Sequence, residues 1–211
     1  MNETKYICNE LSKIEQKECF EKHFENVSGY GLSAKDKQQF DGDSKSLVYG
    51  DIDFDGFAAI LDKVEISDDS IFYDLGSGIG KALMTAALKH PFCVLCGVEI
   101  LPGLHQKSIE ILNKFTSSFN GKDIKLPTFQ IENKCILDVN MTDADIVYIS
   151  STCFDEDFMG SICEKLTNLK IGSYIITLTK HFKDDSLKIL YQGQQKMGWG
   201  TPTVFIHEKV A

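Results

Sequence analysis

The sequence predicts an α/β protein: a doubly wound, seven-stranded and mostly parallel sheet with a C-terminal antiparallel hairpin, preceded by N-terminal helices. Three observations carry this expectation. From residue 70 onward, short apolar runs alternate with helical stretches through short connections, the pattern that places parallel strands side by side with helices on both faces. The apolar runs are nearly continuous, as in strands buried on both faces. The last third drops the alternation and offers two strands with a glycine-bearing turn and no helix between them.

In chain order, residues 4–26 put Ile7, Leu11 and Ile14 on one face, followed by Phe20, Phe24 and Val27, with charges opposite. One amphipathic helix packed on a larger body is expected there. Residues 28–46 have no apolar period and read as a loop, with a short helix around Ala34 to Phe40. Residues 1–46 therefore form a helical appendage or lid, and residues 47–211 the main domain. Strands are expected at 70–75, 92–100, 127–133, 144–150 and 172–180, with helices at 81–90, 104–119 and 156–169 among them. The closing hairpin is 187–193 with 202–210.

A chain of 211 residues supports one domain with a full core, alone or with a short appendage. It contains 4 prolines and no low-complexity tract, which opposes a largely disordered chain. No apolar run approaches the ~20 residues of a membrane helix, and the N-terminus lacks a signal-like apolar stretch. A soluble protein of the cytoplasm or nucleus, with no membrane partner, is expected. All 22 cationic side chains are lysines against 31 acids, a net charge of −9. Without arginine forks or a basic tail, strong direct DNA binding is not expected. The seven cysteines read as reduced thiols, with Cys93 and Cys96 as a buried structural pair. The five histidines show no ligand spacing, so no metal is assigned.

The sharpest local signal is Asp74-Leu75-Gly76-Ser77-Gly78-Ile79-Gly80-Lys81, between a strand and a helix. Glycines let the backbone approach a ligand, and a helix N-terminus is electropositive. The dinucleotide fingerprint needs a third glycine where this chain has Lys81, and no phosphate-loop pattern follows. Asp74, at the strand end, repels a pyrophosphate and attracts a cation. Glu99 ends the next strand, where a carboxylate accepts hydrogen bonds from ribose hydroxyls. A cationic, phosphate-free nucleoside fits both acids, and S-adenosylmethionine is that molecule.

The run Leu47-Val48-Tyr49-Gly50-Asp51-Ile52-Asp53-Phe54, then SDDSIFYDLGSGIGK, then GVE resembles the disruptor-of-telomeric-silencing family of histone-core lysine methyltransferases. That family's pattern is V-Y-G-E-x-x-F, D-D-x-F-x-D-L-G-S-G-x-G-Q and G-V-E. The similarity extends through Asp145 to Ile149, Phe154 and Trp199 to Pro202, covering roughly residues 47 to 208. It implies a class I, Rossmann-like methyltransferase sheet using S-adenosylmethionine, with a protein lysine side chain as acceptor. By this resemblance Tyr49, Gly50, Asp51 and Ile52 fold over the cofactor. Asp74, Gly76, Ser77, Gly78, Gly80 and Lys81 cradle it, Glu99 holds its ribose, and Cys135 and Ile136 stand beside its adenine.

Several positions depart from the family. Asp51 replaces a glutamate, and Lys81 replaces a glutamine and is expected to turn away from a cationic cofactor. Cys135 replaces an acid, for which Asp138 is the expected substitute. Ser150-Ser151-Thr152 stands for Asn-Asn-Phe, which puts Ser150 where the nucleophile meets the methyl group and the cofactor. Tyr49, Phe54, Phe154, Trp199 and Phe205 are the expected walls of an acceptor channel, with Tyr49, Ser150, Phe154 and Trp199 as catalytic candidates. The basic nucleosome-binding segment of the family has no counterpart here. A small-molecule methyltransferase and a non-catalytic cofactor-binding module remain alternatives, with a nicotinamide dehydrogenase a distant further one.

Overall fold

A computed structural model describes residues 5–39 and 47–211. The expected helix limits at Thr4 and Phe40 lie outside the described residues.

Three helices come first: α1 (Ile7–Glu10), α2 (Lys13–Phe24) and α3 (Gly29–Lys37). The single helix expected over 4–26 is two. Ser12-Lys13-Ile14-Glu15 is a capping box, in which the Ser12 hydroxyl accepts from the Glu15 N–H and the Glu15 carboxylate accepts from the Ser12 N–H. Such a box starts a helix, and its Ser is worth about 1 kcal/mol. The restart also rotates the face. Gln16, Phe20, His23 and Phe24 are buried, whereas Ile14, expected on the apolar side, is 72% exposed. The expected loop at 28–46 contains α3, which begins earlier than the short helix anticipated. Ser28 caps it by accepting from Gly31 N–H.

The main body continues with α4 (Phe54–Leu61), capped by Asp53, then β1 (Ile71–Leu75), α5 (Lys81–Lys89), β2 (Val94–Val98), α6 (Pro102–Ser117) and β3 (Thr128–Glu132). After it come β4 (Ile146–Ile149), α7 (Glu156–Leu166), β5 (Tyr174–Leu178), β6 (Leu187–Gln194) and β7 (Thr203–Lys209). The seven strands form one sheet in the order β3-β2-β1-β4-β5-β7-β6. β1 to β5 pair in parallel, while β7 runs antiparallel to both β5 and β6. This is the expected doubly wound sheet with its terminal hairpin.

Period-two alternation divides the core between two faces. Phe72, Ile146 and Tyr148 join Phe57, Leu83 and Phe115 on one side. Tyr73, Leu75, Val147 and Ile149 join Met159 and Ile162 of α7 on the other. The first cluster also holds Ile7, Phe20 and Phe24, so the N-terminal helices share the core of the sheet's α4–α6 face. All seven cysteines are free. Cys93 and Cys96 are not a buried pair: Cys96 lies inside β2, where burial pushes its thiol up to about 11, but Cys93 precedes the strand and is exposed. Among the described residues, no helix is long and apolar enough to cross a membrane.

The connections leaving β1 and β4 diverge from adjacent strands. This is the point in an open sheet where a crevice forms at the carboxyl ends.

Candidate active site

β1 delivers Asp74 to that crevice and passes into the glycine turn. Gly76 and Ser77 donate their N–H groups to the Val98 carbonyl at 2.8 and 3.0 Å, tying the turn to β2. Gly78 has φ 54°, and a Cβ there would stand 2.7 Å from Cε2 of Tyr49. Glycine is therefore required twice over, for the left-handed backbone and for the ring covering it. On the ring's other flank, a Cβ at Gly29 of α3 would stand 2.2 Å from Cζ. Tyr49 is thus held between α3 and the turn.

The Tyr49 hydroxyl donates to Oδ1 of Asp51, and Oδ2 of Asp51 pairs with Lys81 Nζ at 2.8 Å. Burial, with Asp51 adding to it, pushes the Tyr49 phenol far up, so it stays a neutral donor. Lys81 is among the residues lining the cavity, but its ammonium is directed to Asp51, behind the wall, and lies 5.4 Å from the centre of the Phe24 ring of α2. The tip of the β6–β7 hairpin braces this segment. Gly198 N–H donates to the Asp51 carbonyl at 3.0 Å, and Trp199 lies so close to Gly50 that a Cβ there would meet Cδ1 at 2.8 Å.

These elements line a cavity that is partly open to solvent. Every residue expected at the cofactor lines it except two. Asp51 stands behind Tyr49 and Lys81, and Gly80 faces Ser108 and Leu112 of α6. Of the expected catalytic residues Tyr49, Ser150 and Phe154 line the cavity, but Trp199 does not and is 36% exposed. Phe54 and Phe205 are not channel walls either. Phe54 is buried against Phe20, and Phe205 packs on His181. Asp138 sits in a 3-10 turn off the cavity wall, so it does not supply the missing acid.

Sequence reasoning missed Ser33, Tyr148 and Phe158 among the lining residues. Tyr148 is opposite Asp74 in the β1–β4 register. That pairing was the signal available, once β4 was known to be β1's neighbour.

The two carboxylates differ in partners. Glu99 is 6% exposed and accepts from Gly78 N–H and Leu101 N–H, each at 2.8 Å. Burial still holds its pKa above the ordinary value, against the pull of those donors. Asp74 is 2% exposed and has no hydrogen-bond partner among the described residues. Burial first, and the Glu99 charge second, push its pKa well up. Three further buried polar atoms on this wall are unpaired among the described residues: Ser33 Oγ, Ser77 Oγ and Tyr148 OH. Buried polar groups ordinarily find a partner in the protein, in water or in a ligand. The chemistry fits S-adenosylmethionine: a cation for Asp74, hydroxyls for Glu99, and apolar surface from Ile100, Leu101 and Ile136 for a base. Lys81 is the one cationic side chain on the wall among the described residues.

Residues 32–198 match the family described as histone methylation protein DOT1. Similar curated proteins include the H3 lysine-79-specific histone-lysine N-methyltransferases of Kluyveromyces lactis and Caenorhabditis elegans. The first is 26% identical over 140 residues, covering 63% of this chain and 24% of that protein. The second is 27% identical over 153 residues, covering 70% and 16%. The chain thus spans about a quarter or less of the length of these relatives. Among solved structures, a methyltransferase from Methanosarcina mazei superposes with TM-score 0.54 at 12% identity, covering 72% of this chain and 97% of that one. A protein of Escherichia coli described as a methyltransferase gives 0.58 at 11%, covering 74% and 86%. At such identities the superpositions speak for the fold alone. The chain belongs to the DOT1 family and carries the class I fold of S-adenosylmethionine-dependent methyltransferases.

Proposed function

We propose that this protein transfers a methyl group from S-adenosylmethionine to a lysine side chain of a protein. The observation that carries the reading is Asp74, a buried carboxylate without a partner among the described residues, facing a cavity shared with Glu99 and the glycine turn. S-adenosylmethionine supplies a methyl group on a sulfonium, ready for in-line displacement. Asp74 would hold the cofactor's ammonium, Lys81 its carboxylate, Glu99 its ribose, and Cys135 and Ile136 the edge of its base.

At the acceptor side, Tyr49, Ser150 and Phe154 form the wall. A lysine amine with ordinary pKa of about 10.4 must be neutral to attack, and apolar rings disfavour its charged form. The Ser150 hydroxyl can accept a hydrogen bond from the amine and orient its lone pair, and positioning of this kind supplies much of the rate. The net charge of −9 favours approach of a lysine-rich acceptor over nucleic acid. In this reading residues 47–211 are the transferase unit and residues 1–46 its cap.

The test is incubation with methyl-labelled cofactor and two acceptor pools, histones and cytosolic extract. Label on protein lysines is the expected result. Gly78→Arg, which puts a large side chain at a positive φ and into the Tyr49 ring, lowers transfer by at least about 100-fold. Label confined to small molecules replaces the protein acceptor with a small one. Cofactor binding with no transfer to either pool makes the protein a binding module.

A further inference from the structure

The N-terminal helix α3 carries a buried polar group that the expected site did not include. Ser33 is 2% exposed and lines the cavity, and its Oγ has no hydrogen-bond partner among the described residues. A helical serine ordinarily satisfies its hydroxyl on a carbonyl one turn back, and this one does not. We infer that Ser33 is a cofactor-binding residue, whose hydroxyl bonds the ribose hydroxyls of the nucleoside alongside Glu99, and that Asp36 positions it. This rests on the reading that the cavity takes S-adenosylmethionine.

The placement of α3 supports the ribose end. Gly29, Ser33 and Asp36 recur at helical spacing and share one face. Gly29 abuts Tyr49, as described. Asp36 Oδ2 accepts from Gly103 N–H at 2.7 Å and Leu104 N–H at 3.3 Å, in the first turn of α6. That first turn suits a carboxylate. A Cβ at Gly103 would stand 2.6 Å from Asp36, so the glycine keeps the seat open. α6 begins three residues after Glu99, and Asp36 is near enough to raise that residue's pKa. Ser33, one turn before Asp36, therefore faces the Glu99 side of the cavity. Glu99 can only accept, and each of its oxygens already holds one backbone N–H. A hydroxyl donates as well as accepts, so Ser33 can donate to a ribose oxygen, which Glu99 cannot do.

The experiment titrates S-adenosylhomocysteine, the stable product, into wild type, Ser33→Ala, Asp36→Ala and the double variant by calorimetry. Alanine is a better helix former than serine, so Ser33→Ala keeps α3 and its melting temperature without ligand. The expected result is a threefold to tenfold rise in Kd for Ser33→Ala, the usual effect of one lost neutral hydrogen bond. Asp36→Ala raises Kd by a similar factor in wild type and adds little in the Ser33→Ala background, because it acts through Ser33. Asp36→Asn, which keeps an acceptor for Gly103 N–H, recovers most of the affinity. If wild type binds and Ser33→Ala binds within twofold of it, the inference fails and the cofactor reading stands. If the two substitutions add fully, Asp36 does not act through Ser33 and that half is wrong. If wild type itself does not bind, both fall together.

Discussion

Replacing Asp74 with asparagine makes the ligand-free protein more stable at neutral pH and removes its affinity for S-adenosylmethionine. Both effects follow from one buried charge. Among the described residues Asp74 has no donor to hold it, and burial and Glu99 raise its pKa in the folded state. A raised carboxylate pKa means that the folded protein binds more protons than the unfolded one, between the ordinary value near about 3.9 and the raised one. Stability of the ligand-free wild type therefore falls as pH rises through that window, and stays lowered above it. Asparagine is neutral throughout and removes this contribution. The expected gain at pH 7 is on the order of 2 kcal/mol, about 4–8 °C in melting temperature, shrinking towards zero near pH 4. The same substitution deletes the unpaired anion that, among the described residues, the cavity offers to the cofactor's ammonium. Thermal melts from pH 4 to 8, with and without S-adenosylhomocysteine, measure both effects. A variant destabilised at pH 7, or one still stabilised by the ligand, would contradict this account of Asp74. Stability given up at a binding site is a familiar trade.

Glu99→Gln moves stability the other way, even though burial raises the Glu99 pKa as it does that of Asp74, because its two backbone donors lose more than the removed charge returns. Both Glu99 oxygens accept backbone N–H groups, from Gly78 and Leu101. An amide keeps one acceptor and turns a donor towards the second N–H, leaving two buried donors facing each other. A loss of about 1–3 kcal/mol is expected. Ligand affinity falls as well, because Gly78 loses its acceptor while Gly76 and Ser77 keep theirs on Val98. Denaturant unfolding of wild type and both variants checks the pair. Opposite signs for Asp74→Asn and Glu99→Gln are the prediction, and equal signs would show that partners do not decide the outcome.

The strands and the glycine turn were readable from the chain because their signals are local. Burial on both faces makes SIFYDL and ADIVYIS near-continuous apolar runs, and glycine adopts the turn's left-handed backbone most readily. Asp74 and Glu99 were readable for the same reason: each ends a strand beside that turn. What was not readable depended on neighbours distant in sequence. Ile14 was misassigned to the apolar face because the capping box at Ser12 resets the helix. The pairing of Lys81 with Asp51 was not readable, because Asp51 lies thirty residues earlier and is brought close only by the Tyr49 segment. Trp199 sits between glycines in a turn, and its role of bracing Gly50 required the β6–β7 hairpin to fold onto that segment. Ser33 carries no sequence signal at all. It is one serine in a segment without apolar period, and only the docking of α3 on α6 turns it towards the cavity.

An arginine-free crevice with two differently partnered acids is suited to a cationic nucleoside without phosphate. The most direct measurement is a crystal structure of the complex with S-adenosylhomocysteine. The account predicts the ammonium against Asp74 and the ribose hydroxyls against Glu99, with the Tyr49 ring still covering Gly78. A nucleoside bound outside this cavity, or one seated with Asp74 still unpaired, would contradict it.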